Sequence, residues 1–242
     1  MSKFSGKNAI ILINGYNLST YASAFDVKED AGKIPVQGFT DECENYIPGM
    51  KSASINATLF WDSTANTVHT ALASRPNGHM TILPEGYALG NRTLSMPTMQ
   101  GNYSPNGTPK GAIGVGNLVF ESYGDNKAIE HGYALAHSTI TDTAAGVGYQ
   151  VNAAPVTASC VGTIHVWTPT VDDAYTVVIR HCTTLGGVYA DLVTFTVDGK
   201  TRTSERVVVA SGTINQFIKV TATLTGTDNE DFGFSVHFWQ SV

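Results

Sequence analysis

Residues 51–62 read KSASINATLFWD, and their alternation is strict. In an extended chain Ala53, Ile55, Ala57, Leu59 and Trp61 share one side, while Ser52, Ser54, Asn56 and Thr58 share the other. The segment is predicted to be a long strand with one dry face and one face of small, uncharged polar groups. Upstream, Tyr21, Ser23, Phe25 and Val27 line one side of a second extended segment. That segment runs into KEDAGK, where a loop is expected from about 28 to 37. Downstream, Asp62, Ser63 or Thr64 offers an N-cap, and Val68, Ala71 and Leu72 recur at helical spacing, so a short helix is expected over about 65–74. Arg75-Pro76-Asn77-Gly78 then stops it.

Composition agrees with a strand-built chain. Of 242 residues, 14% are charged, well under the roughly 25% of an average soluble domain. Ten Tyr, ten Phe and 24 Gly favour pleated surfaces and tight turns. The net charge is -6, and no Lys/Arg run appears, which argues against a protein that grips nucleic acid by its phosphates. Residues 9–13 are the only apolar run near the start. They are too short for a signal-peptide core or a membrane span, so synthesis and retention in a cytoplasm, with no membrane anchor, are expected. Cys43, Cys160 and Cys182 are odd in number and lack CxxC spacing, which argues against a disulfide framework. Five Asn-x-Ser/Thr sequons, at Asn17, Asn56, Asn91, Asn102 and Asn106, have no meaning without secretion.

A buried strand is expected over 9–13, closed by Asn14-Gly15, and further strands at 79–84, 91–103, 112–123 and 128–137, separated by PEG, SPNGTPKG and YGDN. STITDTAAGVG, from 138 to 148, has small residues and little pattern and reads as a boundary. Beyond it, TIHVWT, YTVVIRH, DLVTFTV, KTRTSERVVVA, FIKVTATLTG and FGFSVHFWQSV read as the strands of a sandwich. Asp198-Gly199 is predicted to turn a hairpin, since Asp-Gly favours the primed turns. In the last two strands Ile218, Val220, Ala222 and Leu224, and Phe232, Phe234, Val236 and Phe238, each form one face. The expected organisation is therefore all-β: a first domain over 1–140 with one short helix, a linker at 141–148, and a β-sandwich over 149–242, immunoglobulin-like or jelly-roll-like.

Candidate chemistry is sparse. TDECENYIPGM, 40–50, packs Asp41, Glu42 and Glu44 around Cys43, but alternation puts Glu42 and Glu44 opposite Asp41 and Cys43, and no His stands near enough to complete a site. Cys160, His165, His181, Cys182 and His237 lack zinc-ligand spacing, and His181 and Cys182 must point to opposite faces. There is no G-x-S-x-G, and GAIGVGNLVF lacks the third glycine and the helix of a dinucleotide site. No catalytic residue, metal or cofactor is expected, and the chain is not read as an enzyme. The rings of Trp167, Tyr175, Tyr189 and Trp239 allow a sugar-stacking surface on the second half, against the alternative that they fill its core.

The order of motifs in FDVKEDAGKIPVQGFTDECENYIPGMKSASINATLFWD resembles that of the major tail proteins, or tail tube proteins, of long-tailed bacteriophages. A strand enters a charged loop (Phe25 to Lys28), a V-x-G-F element follows (Val36 to Phe39), and Tyr46-Ile47-Pro48-Gly49 turns into the long strand that ends at Asp62. ADLVTFTVDGKTRTSERVVVASGTINQFIKVTATL is similar to the sandwich appended to many such proteins. The resemblance implies a structural virion protein, assembled in the host cytoplasm, whose rings, usually hexamers, stack into the tube that delivers the genome. It implies an inter-ring element at Lys28, Glu29, Asp30, Lys33, Asp41, Glu42, Glu44, Tyr46, Pro48 and Gly49. Ser52, Ser54, Asn56 and Thr58 would suit a lumen that DNA slides through without specific binding. Partners would be the protein itself and the tape measure, tail tip and tail terminator. An outer sandwich would occupy the place of a contractile sheath, which favours a non-contractile tail. A carbohydrate-binding virion or surface module acting through the sandwich is the alternative.

Overall fold

The computed structural model describes residues 8–36, 43, 45–64, 67–73, 77–107, 113–124, 129–172, 174–226 and 230–241. The chain is all-β, with antiparallel strands and, among the described residues, one short α-helix. The strands are β1 (Ile10–Ile13), β2 (Tyr16–Asn17), β3 (Ala22–Pro35), β4 (Tyr46–Phe60), β5 (Asn77–Leu83), β6 (Arg92–Gln100), β7 (Pro105–Gly107), β8 (Ile113–Ser122) and β9 (Glu130–Ile140). They continue as β10 (Ala144–Ala145), β11 (Tyr149–Gln150), β12 (Val156–Thr168), β13 (Ala174–Cys182), β14 (Ala190–Thr194), β15 (Thr203–Ile214), β16 (Phe217–Thr225) and β17 (Phe232–Gln240). The helix α1 spans Val68–Leu72, shorter than the expected 65–74, and its N-cap is Thr67, which makes no side-chain cap bond. Asp62 instead accepts a bond from the Thr64 amide at 2.8 Å, a local turn that precedes the helix.

Two compact units form, and they do not follow chain order. One comprises Met1–Thr20, His79–Ser95 and Glu130–Val242; the other comprises Tyr21–Gly78 and Met96–Ile129. The expected cut at 141–148 does not coincide with this division, because β9 lies before it and pairs along its length with β17, the last strand. The linker residues themselves include β10, which pairs with β16.

In the first unit, one sheet runs β15-β12-β17-β9-β6-β5-β1-β2, and a second holds β10, β11, β16, β13 and β14. Their facing sides form the main core: Ile164, Val166, Phe232, Phe234, Val236 and Phe238 meet Tyr175, Val177, Ile179, Ile218, Val220 and Ala222. Tyr175 stacks on Phe232 with ring centroids 4.4 Å apart. Asp198-Gly199 does not make a hairpin: β14 pairs with β13 in the second sheet and β15 with β12 in the first, so the segment carries the chain between sheets. Gly199 keeps the positive φ that the Asp-Gly pair foretold.

The first sheet also curls until its ends meet. Arg202 Nη1 donates to the Gly15 carbonyl at 3.2 Å, the Ser204 hydroxyl lies 3.3 Å from Asn14 Oδ1, and a Cβ on Gly15 would stand 2.4 Å from the Val166 carbonyl oxygen. The concave interior so enclosed is apolar at one end, where Leu12, Leu83 and Ala134 cluster with Ile10 and Trp167. Further in it is polar, holding Thr81, Ser95, Thr163, His165, Ser235 and His237, all buried.

In the second unit β3 and β4 form a long hairpin, β4 pairs with β8, and β8 also pairs with β7 and with Thr98–Gln100 of β6. The alternation is realised from Ala53 to Leu59: Ala53, Ile55, Ala57 and Leu59 are buried, in the unit that also buries Leu72, Leu118 and Phe120, whereas β4 ends at Phe60 and Trp61, expected on the same face, lies beyond it and is half-buried. Gln100 Nε2 caps the helix C-terminus by donating to the Leu72 carbonyl at 3.0 Å.

Candidate assembly surfaces

The stretch expected as a loop from 28 to 37 is mostly strand. β3 continues to Pro35, and Tyr46 to Gly49, expected as a turn, lies within β4 with Pro48 in register with Lys33. The charges of KEDAGK read as loop because a ribbon wet on both faces has no apolar alternation to show. Among the described residues β4 pairs with β8 from Ser54 to Phe60, and residues 31–35 and 46–51 pair with each other and with no third strand, as a two-stranded ribbon. A register shift between Ala31 and Lys33 lets the backbones of Gly32 and Gly49 meet; a Cβ on Gly49 would lie 2.9 Å from the Gly32 carbonyl oxygen. Asp41, Glu42 and Glu44 lie outside the described residues.

This ribbon is apolar and exposed. Ile34, Val36, Tyr46 and Ile47 are each about half accessible, and Met50 is 77% accessible. Lys33 Nζ stands 6.0 Å from the centre of the Tyr46 ring. β3 has β4 as its neighbour on one side and, among the described residues, no strand on the other. Its charged Lys28, Glu29, Asp30 and Lys33 are the side chains that guard such an edge. Glu29 accepts the Ile129 amide at 2.8 Å, so it fastens β3 within its own unit.

Register extends the small polar face. Asn56, Ser54 and Ser52 pair with Asp26, Lys28 and Asp30, and Ser54 pairs on its other side with Glu121, so these side chains share one surface. Residues read separately as an inter-ring loop and a lumen face thus adjoin. Lys28, Asp30, Ser52, Ser54 and Glu121 line an open groove of about 570 Å³. Sequence reasoning missed Asp26 and Glu121; the period-two spacing of Asp26, Lys28 and Asp30 was the available signal. At the far end of β4, Trp61 Nε1 donates to the Tyr103 hydroxyl at 3.0 Å, and His69 Nδ1 lies 2.7 Å from the same oxygen. Hydrogen bonds from the Thr64 side chain and backbone hold the Asp62 carboxyl below its usual range.

The four rings considered for sugar stacking scatter. Tyr175 is 1% exposed and belongs to the core, which removes it from that surface. Trp167 packs against His137, ring centroids 4.5 Å apart, and Lys219 covers Tyr189 at 4.2 Å. Trp239 is half-buried at the end of β17. Among the described residues no group of three or more His, Cys, Asp and Glu is placed to hold a metal ion, and no helix is long and apolar enough to cross a membrane.

No family model matches the chain, and no curated protein matches its sequence. Among solved structures, it is similar to a chain of the virion of a native gene transfer agent particle, at 15% identity and a TM-score of 0.42, over 53% of this chain and 98% of that one. A chain from the tail of an empty gene transfer agent particle with C6 symmetry gives 15% identity and a TM-score of 0.41 over the same shares. The SPP1 Dit (gp 19.1) protein, described as a hub adsorption apparatus in phages infecting Gram-positive hosts, gives 11% identity and a TM-score of 0.32 over 97% of this chain and 99% of that one. At TM-scores below 0.5 these overlaps carry no functional argument.

Proposed function

We propose that this chain is a structural subunit of a phage-type tail, whose copies close into rings that stack into a tube conducting the genome. The observation that carries the reading is the β3–β4 hairpin. It joins a strand edge that has no neighbouring strand among the described residues, an exposed apolar ribbon and a small-residue polar face in one element. The outer side of β3, which among the described residues has no strand beside it, is completed when neighbouring copies close a barrel, and the apolar ribbon is buried when it lies on the next ring. The polar face carries Asp26, Asp30 and Glu121 against Lys28, with Lys51 also lining the groove, a slight acidic excess with no cluster of cations to hold DNA phosphates. Six copies per ring, the family's usual number, and contacts with tape measure, tip and terminator proteins follow from the resemblance in motif order.

Negative-stain microscopy of the purified protein tests this, with rings or hollow tubes as the expected result and a monomer at high concentration as the refuting one. The triple variant Ile34→Ser, Tyr46→Ser, Ile47→Ser separates assembly from folding. Its side chains are exposed, so each change should alter stability by only about 0.5 kcal/mol, while tubes disappear. Normal tubes from this variant would remove the ribbon from the contact between rings.

A further inference from the structure

The polar interior of the curled sheet in the first unit is built around two fully buried imidazoles. His165 Nε2 lies 2.9 Å from Thr81 Oγ1, which also bonds Ser95 Oγ at 2.6 Å. His237 Nε2 lies 3.0 Å from Ser235 Oγ, and that hydroxyl donates its one proton to the Ala136 carbonyl at 3.1 Å. His237 Nε2 is therefore the donor to Ser235, and its Nδ1 holds the bare lone pair. The Nδ1 atoms of both rings are buried without a hydrogen-bond partner. The rings meet edge to face, 5.9 Å apart.

The surrounding charges offer a new cation no relief. His79 from β5 and His137 from β9 neighbour the pair, and both are imidazoles. Arg206 from β15 is already a cation, and Glu130 from β9, the buried anion, accepts from Arg206 Nε at 2.9 Å and from Nη2 at 2.5 Å. Facing strand β6 supplies the hydroxyl of Ser95. The seam that closes the curl is held by isolated contacts of Asn14, Gly15, Arg202 and Ser204 rather than by a strand ladder, and His79 sits at it, its amide donating to Asn14 Oδ1 at 2.9 Å.

We propose that this interior is an acid-sensitive latch: protonation of the His165–His237 pair opens the seam between the β1–β2 turn and strands β12 and β15, while the second sheet stays packed on its core. Burial lowers the proton affinity of every imidazole in the group, His79 to about 4 and His237 to about 3. Folded-state values below the free imidazole's, about 6.5, mean that the unfolded chain binds more protons. Stability is thus complete above about pH 6.5 and falls as pH drops toward those folded values, a window entered before most carboxylates titrate.

The urea midpoint of the full chain, measured from pH 7.5 to 5, should fall, and the double variant His165→Gln, His237→Gln should at least halve that fall. Hydrogen exchange of the wild-type chain, corrected for the intrinsic pH dependence, decides the matter should the double variant not fold. Peptides from β1, β5 and β12 should then lose protection by pH 5.5 while those from β13 and β16 keep it. A flat midpoint, an undiminished fall in the double variant, or loss of protection spread evenly over both sheets would overturn the latch.

Discussion

Arg206→Ala is expected to destabilise the first unit by about 3–5 kcal/mol, the usual cost of stripping one partner from a buried ion pair. Glu130 is 3% exposed, so its carboxylate is held largely away from water and depends on the guanidinium beside it. The effect should exceed that of Glu130→Gln, which leaves a neutral side chain able to accept a hydrogen bond. The paired replacement Arg206→Met, Glu130→Leu should recover most of the loss, because two buried charges are desolvated at a cost their attraction only partly offsets. Urea unfolding of the two single variants and the double variant at pH 7 measures the coupling. Losses that simply add would show that the two side chains act independently.

Gly15→Ala should cost about 3 kcal/mol or more, combining backbone strain with overpacking. Gly15 has φ of 79°, and a methyl group would meet the Val166 carbonyl oxygen at 2.4 Å and the Thr203 amide nitrogen at 2.5 Å. These are backbone atoms of two paired strands and cannot step aside as a side chain would. Gly124→Ala serves as the contrast: its φ is similarly positive, at 80°, but no atom of the described residues lies within 4 Å of its Cβ position, so strain alone should register, at about 1–2 kcal/mol. Thermal unfolding of both variants tests the comparison, and equal losses would mean that the close approach at Gly15 relaxes freely.

What the sequence discloses depends on whether a strand has one dry face. Ala53 to Leu59 and Ile218 to Ala222 were legible because burial on one side writes alternation into the chain. The ribbon at 31–35 and 46–51 was read as loop and turn because it is dry on neither side. Strand β17 shows the opposite case: its apolar face, Phe232, Phe234, Val236 and Phe238, is buried as expected, but so is the other face. Ser235 and His237 are as buried as Phe234 and Val236, so its polar positions mark a second interior rather than solvent. The same signature recurs as Thr81 on β5, Thr93 and Ser95 on β6, and Thr163 and His165 on β12, all buried. No single strand reveals it, because only the curling of the sheet brings these positions together. The Asp198-Gly199 turn shows a further limit: local turn chemistry fixed φ at Gly199 but not which sheet the next strand joins.

The two-stranded ribbon has a kinetic corollary. The ribbon has no third strand among the described residues, and a two-stranded β-ribbon is marginally stable by itself, so in the proposed assembly a lone subunit would hold this contact element poorly ordered for docking. In the proposed tube, a finished ring offers a ready surface on which the ribbon can settle, whereas two free subunits must each order theirs first. Filament growth would then show a lag that added tube fragments abolish, and the supply of completed ends, more than the concentration of subunits, would decide when tubes appear.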